Sequence, residues 1–146
     1  MENKLIVYTD GGARGNPGPA AIGVVMKQLQ GKREIPFKEF AQAIGDATNN
    51  AAEYQAIIFA LKKIKALVGS EKAEKISLEV RMDSELVARQ LRGEYKVEEE
   101  SLWPYFMKIW NLKQSFQSVI FKEIPREKNH EADRLLNQEL NKQGLF

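Results

Sequence analysis

The run Leu5-Ile6-Val7-Tyr8-Thr9 is β-branched and aromatic and is apolar almost without alternation. A strand of that pattern is buried on both faces, so the sheet that contains it needs helices on both sides. The run meets Asp10-Gly11-Gly12, and the Gly and Pro residues from Gly11 to Pro19 predict that the strand stops there. Ala20 to Met26 predicts a second strand. The rougher alternation from Phe37 to Ile44 predicts a third, after a turn at Gly31-Lys32.

Beyond Asn49-Asn50 the periodicity changes. Ala52, Ile57, Leu61, Ile64 and Leu67 or Val68 share a helical stripe, with Lys62, Lys63 and Lys65 on the solvent side and an end near Gly69. Ile76 to Met82 predicts a strand, and Asp83-Ser84 caps a short helix from Glu85 to about Leu91 that Gly93 closes. Leu102 to Leu112 predicts a helix, Val119 to Ile124 a strand, and Pro125 ends it. The last helix starts at Asn129 or His130, with Ala132, Leu135, Leu136 and Leu140 on its apolar side. Trp103, Phe106, Trp110 and Phe116 are expected to pack between helices. The order predicts an α/β fold, a mixed sheet flanked by helices, in a single domain over residues 1–146.

Composition narrows the chemistry. The chain has no Cys and one His, which excludes thiolate ligands, a Cys nucleophile and a metal site built from histidines. Its 22 Lys and Arg stand against 20 Asp and Glu, so any nucleic-acid partner must be held by local positive residues rather than by a global field. The apolar run before Asp10 is too short for a leader or a membrane span, which implies a cytoplasmic chain with no membrane partner.

Four acids stand out from the solvated majority. Asp10 and Asp83 each end a strand that reads as buried, and if those strands are parallel neighbours the two carboxylates meet at one end of the sheet. Carboxylates that close repel, and a divalent cation relieves the repulsion. Glu53, in the first turn of the long helix, and Asp133, about one turn into the last, can reach the same edge. An oxygen-only set suits Mg²⁺ or Mn²⁺. Such a set can hold a structural ion, or support phosphodiester hydrolysis with two ions about 4 Å apart; Asp10 and Asp83 can also be simple turn or cap residues.

The chain resembles the type 1 ribonuclease H family over nearly all of its length. The resemblance rests on Tyr8-Thr9-Asp10-Gly11-Gly12 with Asn16-Pro17-Gly18, then Thr48-Asn49-Asn50-Ala51-Ala52-Glu53, Met82-Asp83-Ser84 and Asn129-His130-Glu131-Ala132-Asp133, in that order. It implies a ribonuclease H-like fold with a five-stranded mixed sheet. It also implies two Mg²⁺, with Mn²⁺ as the alternative: Asp10 on both ions, Glu53 and Asp83 on the nucleophile side and Asp133 on the other. The implied reaction is endonucleolytic hydrolysis of the RNA strand of an RNA/DNA hybrid, leaving 5′-phosphate and 3′-hydroxyl ends. Gly11, Gly12, Asn16, Asn49 and Asn50 would meet the RNA strand and minor groove, and Thr48 a DNA phosphate. Ser84 and Arg126 complete the implied substrate contacts. A monomer without an obligate protein partner is implied, with broader activity on RNA-containing duplexes or an inactive binding module as alternatives.

Three departures from the family pattern accompany the resemblance. Between Ser84 and Leu102 there is no room for a Lys- and Trp-rich protrusion, and Arg14, Arg89, Lys96, Arg126 and Lys128 are the candidates to replace its charge. The loop before the last helix, Ile124 to Asn129, lacks the family histidine, and His130 is out of register with it; Arg126 is the candidate substitute. Glu85 stands where many members have Gln. The start at the first strand also implies no separate hybrid-binding domain before it.

Overall fold

The structure, a computed structural model, describes residues 3–143. Five strands form one sheet: β1 (Lys4–Ala13), β2 (Gly18–Gln30), β3 (Arg33–Ala47), β4 (Ser77–Met82) and β5 (Ser118–Glu123). Their order is β3-β2-β1-β4-β5, with β1 antiparallel to β2 and parallel to β4. The helices are α1 (Asn49–Val68), α2 (Ser70–Ala73), α3 (Glu85–Leu91), α4 (Trp103–Lys113) and α5 (His130–Gln143).

The central run behaves as its pattern demands. Leu5 and Val7 join Val24, Met26, Leu78, Val80 and Met82 in a core closed by Ile57, Leu61 and Ile64 of α1. On the other face α5 packs Ala132, Leu135, Leu136 and Leu140 against Ala21 and Val25. Each fully buried aliphatic side chain of this kind stabilises the fold by roughly 1.5–3 kcal/mol. Past the reach of α5 that face is polar: the Arg81 guanidinium donates to Glu79 at 2.6 Å and to the Tyr8 hydroxyl at 2.8 Å, and Tyr8 donates to Glu34 at 2.5 Å.

The start of α1 is set by Thr48, whose Oγ1 accepts from the Ala51 N–H at 3.1 Å. Its end is Gly69, at φ 86°, whose N–H donates to the Lys65 carbonyl. Because α1 begins at Asn49, Glu53 lies in its second turn and not its first. The four-residue α2 has no counterpart in the apolar periodicity.

The first strand does not stop at Asp10. It continues to Ala13, with Gly11 paired to Ile22, Gly12 to Ala21 and Ala13 to Ala20. Gly11 serves close packing here, not a turn: a Cβ on it would lie 2.2 Å from the Ala52 carbonyl oxygen, whereas one on Gly12 would meet only the end of Leu136 at 3.6 Å. The turn is confined to residues 14–17, and the β2–β3 hairpin is longer than its apolar residues suggested.

Trp103 and Trp110 are not core residues; they are 51% and 49% exposed. Helix α4 meets the body of the protein through Ile109, with Tyr105, Phe106 and Leu112 partly covered. That stripe puts both tryptophans on the far side, where Trp103 Nε1 donates to the Val97 carbonyl at 2.8 Å. Phe116 is buried as expected.

Candidate active site

Parallel pairing of β1 and β4 sets Tyr8 beside Arg81, and two residues further on the same register brings Asp10 beside Asp83. Asp83 lies just past the end of β4, where Ser84 caps α3 by accepting from the Val87 N–H at 3.2 Å. Two glycines bring the other acids in. The contact of Gly11 with Ala52 holds α1 against β1 one residue before Glu53. Gly23, the ladder partner of Asp10, lies so close to α5 that a Cβ there would sit 2.1 Å from the Ala132 carbonyl oxygen, one residue before Asp133.

Carboxylate oxygens of Asp10, Glu53 and Asp83 lie within 4.8 Å of one another, and Asp10 and Glu53 are buried. Asp133 is exposed at the rim of the same cleft, where Asn137 Nδ2 donates to its Oδ1 at 3.1 Å. Burial pushes the Asp10 carboxyl up to about 7, with the charge of Asp83 and then that of Asp133 adding to the rise. Burial, then the charges of Asp10 and Asp83, hold Glu53 well above its ordinary value. Glu53 Oε2 is buried without a hydrogen-bond partner among the described residues. Three converging carboxylates, one with an unpartnered oxygen, fit a hard divalent cation.

The cleft has a volume of about 450 Å³ and is lined by Asp10, Gly11, Gly12, Arg14, Asn49, Asn50, Glu53, Asp83, Ser84, Arg126 and Asp133 among others. Asn16 and Thr48 do not line it. Their side chains shape the approach instead: Asn16 Oδ1 accepts from the Asn49 N–H at 3.0 Å, and Asn49 Oδ1 accepts from the Ala13 N–H at 2.9 Å. Each asparagine is thus tied through its oxygen and keeps its amide N–H₂ as a donor. Thr48 is the helix cap described above.

The basic candidates separate. Arg14 and Arg126 line the cleft, and Arg14 also donates to Asn141 Oδ1. Arg89 is held by Glu85 at 3.1 Å and Glu94 at 3.4 Å and covers the Tyr95 ring. Lys96 and Tyr95 line a second groove with Asn50, Glu94, Glu98 and Glu99. His130 is exposed at the start of α5, its Nδ1 3.1 Å from the Glu127 carbonyl, and does not line the cleft.

Two site residues escaped sequence reasoning. Asn137 sits one helical turn after Asp133, a spacing that was available to find it. Asn129 stands inside one of the motifs, but the hydrogen bonds from its side chain reach Thr9, near the other end of the chain, and Asp83, in its middle, which no local pattern reveals.

This strand order, with acids converging from β1, the end of β4 and helices on both faces, defines a ribonuclease H-like protein. The family model described as "Reverse transcriptase-like" matches residues 8–139. A ribonuclease H1 isolated from compost by a metagenomic approach superposes with a TM-score of 0.88 at 47% identity, over 97% of this chain and 98% of that one. Ribonuclease H1 of Halobacterium salinarum gives 0.84 at 36% identity, over 95% and 98%. The bifunctional protein of Mycobacterium tuberculosis is 37% identical over 94% of this chain, and the chain spans 36% of that relative's length. The chain belongs to the type 1 ribonuclease H family.

Proposed function

We propose that the protein is an endonuclease that hydrolyses the RNA strand of RNA/DNA hybrids. The observation that carries this reading is the convergence of Asp10, Glu53 and Asp83 within 4.8 Å at the floor of an open cleft, with Asp133 at its rim. The compost ribonuclease H1, 46% identical in its complex, has been crystallised with an RNA/DNA hybrid, which supports the choice of substrate.

Asp10, Glu53, Asp83 and Asp133 would hold two Mg²⁺, or Mn²⁺. When bound, such ions neutralise phosphate charge and lower the pKa of water. The protein's own share is placement. Gly11 and Gly12 let a sugar-phosphate backbone approach the main chain. Asn16, Asn49 and Asn50 offer amide donors to the acceptors of the minor groove, and Arg14 and Arg126 offer charge to phosphates. Ser84 stands at the cleft edge. Thr48 acts by fixing the start of α1, and through it Asn49 and Asn50. Hydrolysis puts the water oxygen on phosphorus and breaks the bond to the 3′ oxygen, leaving 5′-phosphate and 3′-hydroxyl ends.

The test is cleavage of matched RNA/DNA, RNA/RNA and DNA/DNA duplexes in Mg²⁺ and Mn²⁺, with Asp10→Asn as control. Cutting of the hybrid's RNA strand that the control loses is the expected outcome. Cutting of RNA/RNA as well means that ribose reading is looser, and no cutting at all leaves a binding module.

A further inference from the structure

Asn129 occupies the position that caps α5: its carbonyl accepts from the Asp133 N–H at 3.1 Å. An asparagine there ordinarily turns its side-chain oxygen onto the first N–H groups of the helix. This one does not. Its side chain points inward, is 1% exposed, and gives both amide hydrogens away: Nδ2 donates to the Thr9 carbonyl at 2.9 Å and to Asp83 Oδ2 at 3.0 Å. Both partners are pure acceptors, so the amide orientation is fixed by chemistry. Its Oδ1 is buried without a partner among the described residues.

From this geometry we infer that Asn129 is a positioning residue, which sets Asp83 and Asp133 relative to Asp10 so that the acids form one cation site; the inference rests on the metal-dependent reading above. The side chain ties Asp83 to the Thr9 carbonyl, one residue before Asp10, and the main chain starts the helix that carries Asp133. One Asp83 oxygen is occupied by the amide, which leaves the other for a cation. The choice of residue follows from charge. A Lys or Arg in this place would neutralise Asp83 and repel a metal, and an acid would add to the repulsion already present. A neutral side chain with two donors orients the carboxylate and leaves its charge intact. The Asn129 N–H also donates to the Arg126 carbonyl at 2.9 Å, so the same residue closes the short loop that presents Arg126 to the cleft.

The experiment measures Mn²⁺ binding to the free protein by calorimetry for the parent, Asn129→Ala and Asn129→Ser, with circular dichroism in EDTA as the check on folding. Loss of a residue that orients a metal ligand weakens metal binding by about 10–100-fold. Asn129→Ala should show that loss with an unchanged spectrum, and Asn129→Ser, which keeps one donor, should fall between. The metal concentration for half-maximal hydrolysis should rise by the same factor, with kcat recovering in excess metal. Unchanged Mn²⁺ affinity in folded Asn129→Ala overturns the inference. If that variant does not fold, the parent decides: the Asn129 side-chain amide resonance should shift on titration with Mg²⁺, and an amide that ignores Mg²⁺ overturns it too. Weakened Mn²⁺ binding in Asn129→Ala, with a parent that cuts no duplex, would support Asn129 and reject the proposed activity, whereas hybrid cleavage by the parent with unchanged binding in the variant would do the reverse.

Discussion

Gly11 lies against the carbonyl of Ala52 with no room for a methyl group between them: a Cβ would come within 2.2 Å of the oxygen. The contact is backbone against backbone, so no rotamer change relieves it, and it fixes the distance from β1 to the turn of α1 that holds Glu53.

Gly11→Ala must therefore push α1 away from β1. The expected cost is about 1–3 kcal/mol, as for overpacked cores, measured as a lower urea midpoint. Activity per folded molecule should fall as well, since Glu53 moves with the helix. Gly12→Ala is the control, because its nearest neighbour is the flexible end of Leu136 at 3.6 Å. Equal stability losses in the two variants would reject the packing explanation.

Asp10 makes the metal-free protein sensitive to pH. Its carboxyl stands at about 7 in the folded chain against 3.8 ordinarily, so between those values the folded state keeps a proton that the unfolded state has lost. Stability then falls as pH rises through that window and levels off above it. In EDTA at pH 8, Asp10→Asn should be more stable than the parent by on the order of 2 kcal/mol, with hydrolysis abolished. At pH 4 the advantage should vanish. A variant that is less stable at pH 8 would show that burial of the amide outweighs relief of repulsion.

The Arg81 network should matter to stability but not to chemistry. Arg81→Met leaves Glu79, 8% exposed, without its 2.6 Å partner. Because the pair is part-solvated, the expected loss is about 1–3 kcal/mol, below that of a fully buried pair. Hydrolysis per folded molecule should be unchanged; a matching drop in kcat would mean that the sheet transmits the strain to Asp83.

Asn16→Ala removes the acceptor for the Asn49 N–H, a helix N-terminal donor. A loss of about 1 kcal/mol is expected. KM for hybrid should rise more than kcat falls, since the Asn16 amide donor is lost and the main chain at Asn49 is untied while the acids stay in place. A fall in kcat alone would count against that division of labour.

The chain's own order made much of this legible. The unbroken run Leu5 to Thr9 demanded a covered sheet, the 3.6-residue stripe after Asn50 demanded a long helix, and the absence of Cys with a single His left mainly oxygen ligands. Asp10, Glu53, Asp83 and Asp133 were therefore visible as candidates, because each follows or opens a segment whose burial the pattern reveals. Local reading failed where a residue answers to something distant. Gly11 and Gly12 looked like the end of a strand, yet they continue it, since the constraint on Gly11 comes from Ala52 forty-one residues away. Trp103 and Trp110 looked like core because apolarity alone does not say which side of α4 meets the protein.

What the sequence determined by itself was the inventory: which segments bury, where they end, and which donor atoms exist. What only the tertiary structure decided was their convergence. The parallel register that sets Asp10 beside Asp83, the two glycine contacts that bring Glu53 and Asp133 in from opposite faces, and the inward turn of Asn129 are all set by packing between segments remote in the chain. Periodicity reports the burial of a face, but a distance between two faces exists only once they are packed.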